Sequence, residues 1–391
     1  MQEFRGSQSL RHRLVLSTLT GTPIVIKRIR SEAANPGLND SEVVFLRLLS
    51  QLTNGTTVEI NPAGTLLKYS PGLIINNPGP ELITFDCGSG RALSYYIEGI
   101  LPLCLFGKNP LNLKLRGRSN DEVDVSMDSL AAVYTPLLKE LGVEDFHLAG
   151  FRRGVEDGEA TLTLTPIRRL EKPIQLLDPG KVKRVRGTVY CSKGSPQMAN
   201  RVAYSAKGAL QQLLPDIWIS TDFTKRGSQS LLGISLSAET NTGLVLAADA
   251  FRGEDSLVEE LETDVPEDLG YTVALRLLDE VFHGGCVDAS LHWLPLLLMA
   301  LGPKGRKGSV LLGRLTNHSI ELLRLIQTFL HVTMDLESAA NPAEAVDSAE
   351  EEEAGEEDYE ELADPLRQNF PSNVLVSCIG VGYQNMARIA F

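Results

Sequence analysis

Residues 7–26 read SQSLRHRLVLSTLTGTPIVI. A serine at the start offers its hydroxyl to the free N–H groups of a helix's first turn, and a mostly apolar run continues to Thr20. Gly21 and Pro23 stop that helix, since glycine accepts the left-handed backbone of a helix end and proline cannot extend one. Ile24-Val25-Ile26 is β-branched throughout and reads as a strand, with Ile29 beyond it. A second helix begins at Asp40, its cap, and places Phe45, Leu48, Leu49 and Leu52 at i, i+3, i+4 and i+7 on one face. Asn54-Gly55 ends it, and the alternating Thr57-Val58-Glu59-Ile60 opens a hairpin.

The same order returns twice. A helix from about Arg91 to Leu105 precedes a strand at Leu111–Leu115; a helix with Tyr134, Leu137, Leu138 and Leu141 on one face precedes alternation at Thr161–Leu164. Further on, a helix from Ala289 to Leu301 leads to a strand at Val310–Leu312. A helical stripe of Leu322, Leu325, Ile326 and Phe329 then precedes strands at Val332–Met334 and Val374–Val376. These patterns predict an α+β fold: three two-helix units, each with a four-stranded sheet, packed as layers of one large domain. The third unit is displaced by a stretch with its own strands, Thr188–Tyr190 and Ile217–Ser220, and its own helical runs, Met198–Leu213 and Glu267–Phe282. The expected organisation is therefore two units in 1–183, a small inserted α/β domain in 184–283 and the third unit in 284–391.

The chain has 391 residues, 43% of them hydrophobic, and no stretch that reaches the ~20 consecutive apolar residues of a membrane span. Nor does its start read as a secretory signal. Five scattered cysteines without a CxxC pair suit a reducing compartment and predict neither a disulfide frame nor a zinc ribbon. His283, Cys286 and His292 come nearest to a metal set and lack a fourth ligand, so no metal is expected. The net charge of −13 is local: residues 337–364 hold 13 acids and no Lys or Arg, and without them 37 acids face 37 bases. That acidic segment has almost nothing to bury and is expected to form a disordered loop inside the last hairpin. Gly302–Ser309 does not have the spacing of a phosphate-binding P-loop, because Lys307 occupies the place of the second glycine.

Several pieces in this order resemble the RNA 3′-terminal phosphate cyclase family, and within it the eukaryotic cyclase-like branch. They are Leu14–Ser17 with Thr20–Ile24, Ile29-Arg30 followed by Asn35-Pro36-Gly37-Leu38, Pro136–Leu138 with Leu141-Gly142, and Gly380-Val381-Gly382-Tyr383. The resemblance covers nearly the whole chain apart from the acidic segment. It implies a mechanism in which a histidine takes AMP from ATP and passes it to an RNA 3′-phosphate, which the neighbouring 2′-hydroxyl closes into a ring. That chemistry needs a nucleophilic nitrogen, glycine-rich backbone against phosphate, and balancing cations.

This sequence departs from the family pattern at most of those places. The glycine-rich loop before the first helix is Arg5-Gly6-Ser7-Gln8-Ser9, and the second loop arginine is Ala33, leaving Arg30. The signature rich in proline and glycine is Ala149–Gly158, with Glu156 and Asp157 inside it, and the Gly-Gly-Thr-Asp segment is Gly117-Arg118-Ser119-Asn120. Cyclase activity is not expected, and no cofactor is implied. His318 falls about where the cyclase histidine sits; read without the family, it is a polar first-turn residue beside Asn317 and Ser319. A stretch linked to pre-rRNA cleavage in cyclase-like members is here Arg324-Leu325-Ile326-Gln327, which keeps Arg324 alone.

The resemblance thus implies a nucleolar, nuclear assembly factor of the small-subunit processome. It would bind a ribosome-biogenesis GTPase and touch pre-rRNA phosphates, with no membrane role. The alternative is an enzyme acting on RNA, either a pre-rRNA endonuclease or a residual cyclase using His318. Arg11 and Arg30 are expected near His318 in a positive cleft that holds an anion or an acidic peptide, unless acids such as Glu32 or Asp40 occupy them.

Overall fold

Strand β1 (Gln2–Arg5) precedes helix α1 (Leu10–Thr20) and pairs in parallel with β2 (Ile24–Lys27). Parallel partners need a crossover, and α1 supplies it. Helix α2 (Asp40–Leu52) follows. Then come β3 (Thr53–Asn54), β4 (Thr57–Ile60), β5 (Leu67–Ser70) and β6 (Leu73–Ile74). The computed structural model describes residues 1–76, 79, 81–154, 156–224, 231–253, 265–339 and 373–388.

The next elements are β7 (Ile83–Asp86), α3 (Leu93–Cys104), β8 (Leu111–Gly117), α4 (Met127–Glu140), β9 (His147–Arg152), β10 (Gly158–Leu164) and β11 (Gln175–Leu176). A separate group comprises β12 (Val182–Ser192), α5 (Pro196–Leu210), β13 (Ile217–Thr224), β14 (Leu231–Thr240), β15 (Val245–Arg252) and α6 (Pro266–His283). The chain then forms α7 (Trp293–Leu301), β16 (Lys307–Leu312), α8 (Asn317–Leu330), β17 (Asp335–Ala339) and β18 (Asn373–Ile379).

Three of the four-stranded sheets share one strand order: β1-β2-β5-β4, β7-β8-β10-β9 and β11-β16-β18-β17. In each, the first pair is parallel and the others are antiparallel. The leading strands β1, β7 and β11 carry no alternation strong enough to be read from sequence, because each is a short edge strand. The fourth sheet, β13-β12-β14-β15, buries one face under α5 and α6 and has its own apolar cluster around Val189, Ile234, Val202 and Val273. A Cβ on Gly270 would lie 2.2 Å from the Val202 carbonyl, so the two helices meet backbone to backbone there.

Several sequence expectations shift. The first helix starts at Leu10 rather than Ser7; Ser9 precedes it in the left-handed region at φ 49° and does not cap it. The cap of α2 is Asn39, with Asp40 its first helical residue. The last hairpin uses 335–339 instead of 332–334, so Glu337, Ser338 and Ala339 of the acidic segment lie in a strand. The remainder of that segment, 340–364, lies outside the described residues.

Helix α1 is the hub. Every residue from Leu10 to Leu19 is buried, and α2, α3 and α8 pack around it. The tail after β18 closes the assembly. Val381, Gly382 and Tyr383 donate backbone N–H groups to Ala300, Gly302 and Leu301, and a Cβ on Gly380 would strike the Gly302 carbonyl at 2.4 Å. Tyr383 stacks edge-on to Phe106, and the buried Asn385 amide donates to the carbonyls of Ile74 and Phe106, 2.9 Å each.

Asn385→Ala leaves two buried carbonyls without a donor, at ~1–3 kcal/mol per group. Urea unfolding should show a loss of about 2–6 kcal/mol at an unchanged denaturant slope. A loss below about 0.5 kcal/mol would mean that this strap does not hold the units together.

Candidate functional site

A helix buried on all sides should be apolar, yet α1 carries Arg11-His12-Arg13. Each polar group must therefore find a partner inside the fold. Arg11 forms a 2.6 Å ion pair with Glu98 of α3 and donates to the Tyr95 carbonyl at 2.7 Å. Its guanidinium lies 4.5 Å from the Tyr95 ring, and Arg91, paired with Asp124, lies 4.8 Å from the same ring. Burial works against the Arg11 charge; Glu98, Tyr95 and Asp124 together outweigh it, and the pKa is raised. Arg13 donates to the Gly6 carbonyl at 2.9 Å and lies over Phe4, whose ring stacks on Phe329 of α8.

His12 is buried edge-on against Trp293, 4.5 Å between centroids, and its other neighbour is His318 at 5.1 Å. His318 is exposed in the first turn of α8, where the Thr316 hydroxyl caps the helix by accepting from the Ser319 N–H. Burial, then Arg11, then His318 hold the His12 pKa well below the ordinary value. The His318 pKa is also lowered: loss of water around its inner edge outweighs the opposing pull of Glu98. Both rings are thus neutral near pH 7, and only His318 of the two is exposed. His292 lies deeper. Its Nε2–H donates to the Val287 carbonyl at 3.3 Å, so its Nδ1 accepts from the Ser319 hydroxyl at 2.9 Å, and burial lowers its pKa to about 4.

The loop before α1 is tied to α8. Glu321 accepts from the Gln8 amide and, at 3.0 Å, from the Ser9 hydroxyl. Glu321, like His12, Glu98, Glu42 and Tyr190, was not singled out from the sequence. Their partners are distant in sequence, and no local pattern marks them.

Arg11 is brought beside His12 and His318. Arg30 is held elsewhere, paired with Glu42 at 2.7 and 2.8 Å while donating to the Gly37 carbonyl at 3.0 Å. The acids that close the two arginines are Glu98 and Glu42; Glu32 and Asp40 are exposed. The free positive cleft expected from sequence is therefore two closed ion pairs, because packing α3 and α2 against α1 supplies a carboxylate to each cation. A ligand anion would have to displace carboxylates that are themselves largely buried. Arg324 faces solvent six residues beyond His318, ~240° around the helix from it.

The other phosphate-signature segments have become a joint. Arg153 pairs with Asp128 at 2.8 Å and with Asp222 of β13 at 2.5 Å, over the ring of Tyr190 of β12. Asn120 donates to the Tyr190 hydroxyl at 2.8 Å, and Ser119 and Gly154 exchange hydrogen bonds. Arg152 is paired with Asp157. Other surface cations are paired in the same way: Lys27 with Glu3, Arg184 with Glu239 and Arg186 with Asp216. His283 bonds the Asp279 carbonyl at 2.7 Å, and burial pushes the Cys286 thiol up to about 12.

Two measurements check this geometry. Arg11→Met strands a buried Glu98 and should cost about 3–5 kcal/mol, most of it restored in Arg11→Met/Glu98→Leu; an additive double variant would mean that the pair is not coupled. The His292 imidazole should titrate near pH 4 by NMR. Its depressed folded pKa means that its stability contribution is full above pH 6.5 and lost as the unfolded ring takes a proton below it. A His292→Gln variant should therefore lose less stability than the parent between pH 7 and 5; an equal loss would refute the assignment.

The profile of the RNA 3′-terminal phosphate cyclase family matches residues 2–336. The Mus musculus RNA 3′-terminal phosphate cyclase-like protein is 41% identical over 395 positions, spanning 98% of this chain and 97% of the mouse protein. A probable RNA 3′-terminal phosphate cyclase-like protein of Dictyostelium discoideum is 36% identical over the full length of both. The rRNA processing protein rcl1 of Schizosaccharomyces pombe is 37% identical over 74% of this chain and 78% of its own. The family profile and these relatives agree: the chain belongs to the RNA 3′-terminal phosphate cyclase family, among its eukaryotic cyclase-like members.

Proposed function

We propose that this chain is an rRNA-processing factor that supports assembly of the small ribosomal subunit without cyclase activity. The observation that carries this reading is the closed site: Glu98 and Glu42 occupy Arg11 and Arg30, and Glu321 ties down the loop. A catalyst of phosphate transfer needs cations free to meet developing negative charge. The relative named an rRNA processing protein supports the ribosomal side. In this reading the chain works in the nucleolus as part of the small-subunit processome. Its body docks a ribosome-biogenesis GTPase, and its surface cations position pre-rRNA through phosphates. The three-unit body of 1–183 and 284–391 serves as the scaffold, with 184–283 inserted as a domain of its own.

One observation favours a second reading, an enzyme acting on RNA: His318 is exposed and neutral beside Arg11, as a nitrogen nucleophile requires. Depletion of the chain should cause unprocessed pre-rRNA to accumulate and small subunits to fall relative to large ones. A His318→Ala chain should restore both, and α-labelled ATP should leave no label on the purified protein. A His318-dependent AMP adduct, or failure of a well-folded His318→Ala chain to rescue, would overturn the scaffold reading in favour of the enzyme.

A further inference from the structure

A cleft of about 500 Å³ lies between the large body and the fourth sheet, away from His318. The loop before α4 contributes Asp121, Glu122 and Asp124, β15 contributes Asp249, α6 contributes Asp279 and Glu280, and Asp288 lies at the base. Against these seven acids the lining holds two cations, Arg252 and Arg276. Some of the acids already have work. Asp121 and Asp124 hold Arg91, Asp249 accepts from the Ser126 N–H at 2.8 Å, and Glu280 accepts from the Ala289 N–H at 3.1 Å.

Asp288 differs. It is 1% exposed, and although its carboxyl accepts from the backbone of Ala247 and Ser290, its Oδ2 has no hydrogen-bond partner among the described residues. A buried acceptor of this kind is costly to leave unmatched. Burial, then the nearby Glu280 and Asp249, push its carboxyl well above the ordinary range, and burial followed by Asp279 raises Glu280 as well. Crowded acids around a recess call for positive charge. Among the described residues no three side chains of metal-binding type converge, so the charge is spread around the recess rather than focused on one point. A multi-donor organic cation suits that distribution, since a guanidinium carries five N–H donors on a fixed planar frame.

We propose that this cleft binds an arginine-rich segment of a partner protein, one cationic side chain entering towards Asp288. The lining acids come from the α4 loop of the large body and from β15 and α6 of the inserted sheet, so the segment bridges the two. Binding would then fix the two together, adding to the joint made by Arg153 and Tyr190. This inference is independent of the ribosomal reading and holds whether or not the chain acts on RNA.

The full-length chain is titrated by calorimetry with the peptide Arg-Gly-Arg-Gly-Arg-Gly, and separately with spermine. One peptide site is expected, and reversing the exposed rim in Glu122→Arg/Asp279→Arg should weaken it at least tenfold. Asp288→Asn should weaken it several-fold. Should that variant fail to fold, as judged by its melting curve, the rim variant alone decides. Residues 340–364 also carry acids, so Glu350, Glu351, Glu352 and Glu353 are changed to Gln in a control whose affinity should stay within twofold of the parent. The proposal fails if the rim variant binds like the parent, if the glutamine control abolishes binding, or if spermine occupies the cleft while the peptide does not.

Discussion

The Arg11–Glu98 pair is the constraint around which the body is arranged. Helix α1 is enclosed by α2, α3 and α8, and an unpaired guanidinium at its centre would be costly to bury. Glu98 must therefore face α1, which fixes how α3 lies against it, and Tyr95 follows one turn earlier on the same helix. Tyr95 in turn sits between Arg11 and Arg91, so the pairing Arg91–Asp124 is drawn into the same network and fixes the loop that leads to α4. The network is balanced internally. Its charges serve packing, and that is why the site has cations without offering them to a phosphate.

A similar exchange of role runs through the segments that the family resemblance links to nucleotide binding. Arg153, Gly154 and Gly117–Asn120 gather at the end of the antiparallel β8–β10 ladder, where Gly158 faces Gly117 so closely that a Cβ on Gly158 would strike the Gly117 carbonyl at 2.4 Å. Arg153 and Asn120 then reach from this end of the ladder to Tyr190. Burial raises the Tyr190 pKa, so its hydroxyl stays neutral while its oxygen accepts from Asn120. Residues that could have faced a ligand now join the large body to the fourth sheet, and the acidic cleft opens beside that joint.

Where helices and inner strands lie was legible along the chain, because their signals are local. Phe45, Leu48, Leu49 and Leu52, like Leu322, Leu325, Ile326 and Phe329, repeat at the helical period and are buried as that period requires. The glycines and prolines that stop α1 act within a few residues of it, and the family signature depends on order and spacing alone. The short edge strands β1, β7 and β11, the true start of α1 and the placement of β17 were not legible, since pairing across the sheet decides them. The site divides in the same way. Sequence determined that Arg11, Arg30 and His318 are present and that the glycine-rich loops are not. Only the tertiary structure decided that Glu98 and Glu42 close the arginines and that His12 stands behind His318. It alone also brought Asp249, Glu280 and Asp288 to one cleft. Ion pairs and burial depend on which surfaces meet in space, and residues dozens to hundreds of positions apart carry no local mark of that meeting.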